Sequence, residues 1–209
     1  MFKFLRLTVV YLCILPLACA QSDKQADPVL IGTCEGCEAI FEYGNRILSS
    51  VDTLPGFAIA KEKLVIDGTV YMPDGKTPAD GVILYVYHTN EQGIYENRNG
   101  ATNWERRHGY LRGWMKTGTD GRYTFYTSMP GIYPNRREPA HIHLTILEPS
   151  GKYYWMDSYL FARDPLLKAE SESEEVRGGF SGIMEIQHQN EYLRGSRDII
   201  LGANIPGYE

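Results

Sequence analysis

His141-Ile142-His143 is the pair of side chains best placed for chemistry, and it follows Tyr133 of the run Pro130-Gly131-Ile132-Tyr133-Pro134 by eight residues. Alternate side chains of a strand point to the same face, so the two imidazoles would converge on one point, a metal-ligand geometry. Imidazole suits zinc, copper, nickel and iron alike. A phenolate oxygen is a hard, anionic donor that favours a highly charged ion such as ferric iron. If tyrosines join the pair, iron leads.

Any single tyrosine among the 15 in the chain is more often a packed aromatic with a satisfied hydroxyl than a ligand. Thr119-Asp120-Gly121-Arg122-Tyr123-Thr124-Phe125 followed by Pro130-Gly131-Ile132-Tyr133 also occurs in extracellular β-sandwich binding modules that hold no metal. The combination of Tyr133 with the two histidines and with Gly93-Ile94-Tyr95 is what separates this chain from them.

The elements that must position these groups read as strands. Short β-branched and aromatic runs alternate with turn signals: Leu64 to Tyr71 then Pro73-Asp74-Gly75, Val82 to His88 then Asn90 to Gly93, Arg122 to Thr127 then Pro130-Gly131, and His141 to Leu147 then Pro149-Ser150-Gly151. The spacing predicts an all-β domain, a β-sandwich of mainly antiparallel strands with long functional loops. Val82, Leu84 and Val86 on one face and Ile83, Tyr85 and Tyr87 on the other predict a strand packed on both sides. Residues 96–112 form a polar, aromatic-bearing stretch long enough to be a functional loop.

With 209 residues, 43% hydrophobic and 22% charged, the chain reads as one globular domain. Its formal charge is 21 − 26 = −5 and no block of Lys and Arg occurs, which recommends neither nucleic acid nor an anionic membrane surface as partner.

Residues 1–20 read as an export signal: Lys3 and Arg6 precede an apolar stretch from Leu7 to Leu17 that is too short to span a bilayer. Ala18-Cys19-Ala20 allows ordinary cleavage, whereas Leu17-Ala18-Cys19 also resembles the end of a bacterial lipoprotein signal, in which Cys19 would carry the lipid anchor. The expected location is therefore periplasmic, extracellular or lipid-anchored. In an oxidising compartment Cys34-Glu35-Gly36-Cys37 reads as a small local disulfide between Cys34 and Cys37 rather than a zinc or redox pair. Residues 21–63 read as a tether and lead segment, with the sandwich starting at Leu64 and running to residue 209.

From Leu64 to Pro165 the chain resembles the intradiol ring-cleavage dioxygenases, the family of catechol and protocatechuate dioxygenases. The resemblance rests on the Tyr after a glycine beyond the strand (Gly93-Ile94-Tyr95), Arg112-Gly113-Trp114, Thr119-Asp120-Gly121-Arg122-Tyr123, the Pro-Gly-x-Tyr-Pro run, Pro139-Ala140-His141-Ile142-His143 and Asp164-Pro165. It implies a non-haem Fe(3+) held by Tyr95, Tyr133, His141 and His143. It implies a catechol-like substrate bound as a dianion and opened by O2 between its hydroxyl-bearing carbons. By motif position Tyr133 would be both ligand and base.

Usual members place an Arg three residues before the first histidine; Glu138 stands there, with Arg137 and Arg136 just before it. Where they carry a Gln past the second histidine, the register puts Ser158. Arg137 is thus the candidate for the charge-stabilising role, and Ser158, Arg112 and Trp104 are candidates for substrate contact, with His108 and Tyr110 beside Trp104 in the long loop. His88, His108 and His188 otherwise read as surface hydrogen-bonding groups. Two readings from other classes stay open: a non-catalytic binding module that retains the ligand pattern, and a metal-dependent enzyme acting on a different phenolic compound. Self-association into a homo-oligomer is also left open, and the helical dimerisation segment of catechol-type members is not apparent.

Overall fold

The computed structural model describes residues 26–135, 137–167 and 175–209. The export segment, Cys19 and Arg136 lie outside these residues. The described chain is a sandwich of two six-stranded sheets, as its strand spacing predicts.

The strands run in chain order as β1 (Val29–Leu30), β2 (Val51–Thr53), β3 (Lys63–Tyr71), β4 (Ile83–His88), β5 (Arg112–Lys116), β6 (Arg122–Ser128), β7 (His141–Leu147), β8 (Lys152–Phe161), β9 (Ile183–Met184), β10 (Gln187–Gln189), β11 (Tyr192–Ser196) and β12 (Ile199–Ile200). The first sheet has the order β1-β8-β7-β4-β5, with β9 also on β8. The second has the order β10-β11-β3-β6-β2, with β12 also on β3. The long central pairs, β4 with β5 and β7, β7 with β8, and β3 with β6, are antiparallel. The short edge strands β1, β2, β9 and β12 and the longer β11 pair in parallel, which makes both sheets mixed.

Between the sheets, Leu64, Ile66, Leu84, Val86, Phe125, Ile142, Leu144 and Tyr159 form one continuous buried core. The opposite face of the first sheet is apolar too, which is why β4 has no polar side. Ile83, Tyr85, Trp114 and Leu147 pack there against Cys37, Ala39 and Ile40. Those three belong to a 3-10 helix spanning Cys37–Tyr43.

From Val29 onward the lead before Leu64 packs on the sandwich, which thus takes in residues ahead of Leu64; residues 21–25 lie outside the described residues. β1 pairs with β8, β2 pairs with β6, and the helix between them roofs the outer face of the first sheet. Strands of two or three residues are too short to show a period-2 pattern, so nothing in the sequence marks them. Among the described residues no helix is long and apolar enough to cross a membrane.

Candidate functional site

His141 and His143 occupy alternate positions of β7, on the outer face, with Ile142 between them buried in the core. Antiparallel pairing sets Tyr87 of β4 directly opposite His143. On the other side of β7 the register shifts: Ile142 faces Tyr159 and Leu144 faces Met156, so β8 carries one extra residue, at Asp157-Ser158, opposite His143. Bulges of this kind re-aim side chains beside functional sites.

The two tyrosines arrive on separate loops joined through one asparagine. The Asn90 carbonyl accepts from the amides of Gly93 and Gly131, both at 2.9 Å. The Asn90 side-chain Oδ1 accepts from the amides of Gln92 and Ile94, both at 3.0 Å. Gly93 has φ +76°, and a Cβ there would run into the Ile132 carbonyl. A Cβ on Gly131 would meet the Glu91 carbonyl and the Gly93 amide in the same way. Only glycine at these two positions lets the backbones touch, and the contact brings Tyr95 and Tyr133 together.

Four donor atoms then converge. Tyr95 Oη lies 2.6 Å from Tyr133 Oη and 2.8 Å from His143 Nε2. Tyr133 Oη is 3.1 Å from His141 Nε2, which is itself 3.1 Å from His143 Nε2. Donors that share one ion at roughly 2 Å from it stand about 3 Å apart, so these distances suit a single small cation. Two phenol oxygens with two imidazoles form a hard, potentially dianionic set that fits a highly charged ion. Among the described residues no cluster of three or more histidines, cysteines or carboxylates is placed to hold a metal; this quartet contains only two such residues, His141 and His143.

Without a cation the two phenols of the quartet hold their protons and His143 is neutral. Burial, closeness to the other phenol and the nearby Glu138 charge push the Tyr95 phenol far above its usual value. Burial and Glu138 raise Tyr133 as well. Burial, with the neighbouring His141 and other imidazoles, pushes His143 down to about 3, so it is neutral and free to donate. The raised phenols give up their protons only to a cation that replaces them. His141 Nδ1 lies 2.8 Å from the Pro139 carbonyl, which accepts its proton and leaves Nε2 as the donor.

The two other buried histidines are structural, not superficial as their polarity suggests. His88 Nε2 is 2.6 Å from Thr127 Oγ1 and its Nδ1 is 2.7 Å from the Thr89 carbonyl. His108 closes the four-residue helix Glu105–His108, and its Nδ1 lies 2.9 Å from Tyr85 Oη. Its ring stacks on Tyr87 at 3.8 Å between centroids. His188 is exposed on β10, as expected.

Of the groups expected to touch substrate, the structure brings Ser158 to the site and leaves others outside it. Ser158 and His143 line one cavity. Arg112 is buried and clasped by Glu42 at 2.6 Å and Glu105 at 3.6 Å, in a separate cavity with Tyr110 and Trp114. Its charge is spent on those carboxylates. Trp104 stacks on the far side of His108, 5.2 Å between centroids. Arg137 is exposed, its amide bonded to Asn135 Oδ1, with no side-chain contact to the quartet among the described residues. Cys34 and Cys37 are joined by a disulfide. Sequence reasoning passed over Tyr87, because its meaning depends on the β4–β7 register.

The family model described as Dioxygenase matches residues 50–192. Catechol 1,2-dioxygenase 1 from Acinetobacter lwoffii is 36% identical over 109 residues, covering 43% of this chain and 33% of the relative. The protocatechuate 3,4-dioxygenase beta chain from Burkholderia cepacia is 27% identical over 157 residues, covering 71% of this chain and 62% of the relative. The chain thus spans less than two thirds of either relative's length. Among solved structures, the dioxygenase domain of a carbohydrate-binding fusion from Streptomyces sp. SirexAA-E is similar in fold, with TM-score 0.57 and 22% identity over 84% of this chain and 98% of that one. An intradiol ring-cleavage dioxygenase from Tetranychus urticae gives TM-score 0.53 and 21% identity over 75% of this chain and 87% of that one.

Proposed function

From the premise that the chain belongs to the intradiol ring-cleavage dioxygenase family, we propose that it is an exported non-haem ferric enzyme. It opens a catechol-like ring between its two hydroxyl-bearing carbons with O2. The observation that carries this reading is the convergence of Tyr95, Tyr133, His141 and His143 within 2.6–3.1 Å of their neighbours. Bound there, ferric iron would act as a Lewis acid that draws the diol into its dianionic form and makes the ring reactive toward O2.

The chain's own groups handle protons and position. Tyr95 and Tyr133 are both carried on loops, and by its motif position the Tyr133 phenolic oxygen is the site that accepts a diol proton. His141, held by the Pro139 carbonyl, and His143, held by the Tyr87 ring, stay in place. Ser158, opposite His143 across the bulge, offers a hydroxyl to bound substrate or oxygen. Glu138 holds the position where usual members place a cation, so substrate charge is balanced by the metal rather than by a guanidinium. The Cys34–Cys37 disulfide supports an oxidising compartment.

The test is the visible spectrum of the protein with its iron content, before and after catechol in air. A tyrosinate-to-iron band that shifts on catechol, with oxygen consumed, is expected. A band that shifts with no oxygen uptake from any catechol tried would reduce the protein to a metal-holding binding module. A colourless protein that stays iron-free after ferric reconstitution would overturn the four-donor reading.

A further inference from the structure

The loop Thr33–Cys37 does more than staple the lead segment to the sheet. It forms one wall of a cavity of about 420 Å³. The opposite wall is the outer face of β7 and β8, with His143, Trp155 and the bulge residues Asp157 and Ser158, and Tyr87 of β4 completes the lining. Two other cavities, one beside Met129 and Phe161 and one beside Arg112, are lined by none of the four donors or Tyr87.

The loop is a fixed wall. The disulfide closes it, the Trp155 indole donates to the Thr33 carbonyl at 3.0 Å, and Glu35 pairs with Arg107. Gly36, in a left-handed conformation, packs so closely on His108 and Trp104 that a Cβ would meet both rings. One side of the loop thus touches the aromatic stack behind His143 while the other faces the cavity.

We propose that this cavity is a subsite for the ring substituent of the substrate, with the disulfide-closed loop as its specificity-determining wall. The preferred substrate is then a catechol carrying an uncharged aromatic group. The inference rests on the catechol reading above and deepens it. The volume lies in the range of pockets that bury ligands of more than one ring, so unsubstituted catechol would leave most of it to water. Tyr87 and Trp155 supply aromatic surface for a second ring. The charged side chains of the lining are the carboxylates Glu35, paired with Arg107, and Asp157; Arg177 is taken up by the Trp155 ring, 3.4 Å from its centroid, and the Trp155 carbonyl, so an anionic substituent meets carboxylates and no cation within the lining.

The experiment is an oxygen-free titration of the iron-loaded protein with catechol, biphenyl-3,4-diol and 3,4-dihydroxybenzoate, repeated on metal-free protein. Biphenyl-3,4-diol should bind about tenfold more tightly than catechol or better, the return for burying a second ring, and dihydroxybenzoate more weakly than catechol. The affinity ratio of biphenyl-3,4-diol to catechol should fall to near one in the double variant Cys34→Ser, Cys37→Ser. It should fall likewise in Trp155→Leu, which keeps the disulfide and so still reports if the double variant does not fold. Equal affinities in the natural protein, or a preference that survives Trp155→Leu, would overturn the subsite. Failure of the catechol reading has a different signature: no diol then moves the iron band, while the metal-free titration still tests the cavity.

Discussion

The ring of Tyr87 lies parallel to the imidazole of His143, with 4.5 Å between centroids and 16° between planes. Its other face carries His108 at 3.8 Å and 4°, and His108 is pinned in turn by the Tyr85 hydroxyl. A ligand ring clamped in this way cannot swing out of line. Tyr87→Leu removes the clamp and should weaken iron binding by about 10- to 100-fold, the usual cost of losing an orienting neighbour, while Tyr87→Phe keeps it. Competition with an iron chelator measures both; equal affinity in the Leu variant would reduce the stack to packing.

Tyr133→Phe takes away the phenolic oxygen assigned to the proton. The variant should retain iron on Tyr95, His141 and His143 with altered colour, and lose roughly 10²- to 10⁴-fold in kcat, the scale of a positioned base. Iron content and turnover measured on one sample check this. Unaltered turnover would remove Tyr133 from the proton's path.

Stability should fall on mild acidification. Burial pushes the fully enclosed His88 from 6.5 down to about 4, so the unfolded chain binds the proton first. The contribution is complete above about pH 6.5, is lost progressively as pH falls, and is gone near pH 4. At roughly 1.4 kcal/mol per pKa unit it amounts to about 3 kcal/mol. Thermal melts of the natural protein and His88→Gln between pH 4 and 7 should show a steep slope in the first and a shallower one in the second.

Arg112→Ala should act on folding, not on substrate. It leaves the partly buried Glu42 without its cation, while Glu105 keeps Arg98 at 2.8 Å, at a cost of about 1–3 kcal/mol. Denaturant melts should reveal the loss. A folded variant with only a raised KM would return Arg112 to the substrate site.

The central strands were legible because each is long enough to show its alternation. β4 and β7 lie within a residue of their expected limits, and both apolar faces of β4 find cover. The histidine pair followed from the same periodicity. The pairing of Tyr95 with Tyr133 did not, since it depends on two glycine contacts across loops that share no sequence pattern. His108 was misjudged because a polar residue in a polar stretch looks exposed until its buried partner, here Tyr85, is known; the ion pairs that Arg112, read as a substrate contact, makes with Glu42 and Glu105 join distant segments and leave no mark in the sequence.

The family match begins at residue 50, yet the roof over Ile83, Tyr85 and Trp114 is built from residues 37–40. A recombinant fragment trimmed to the matched span would therefore expose a patch of tyrosine, tryptophan and isoleucine beside the His143 and Tyr87 rings. Its insolubility would say nothing about catalysis. Anyone producing this protein should keep the chain from Val29 onward, with an oxidising route for Cys34 and Cys37.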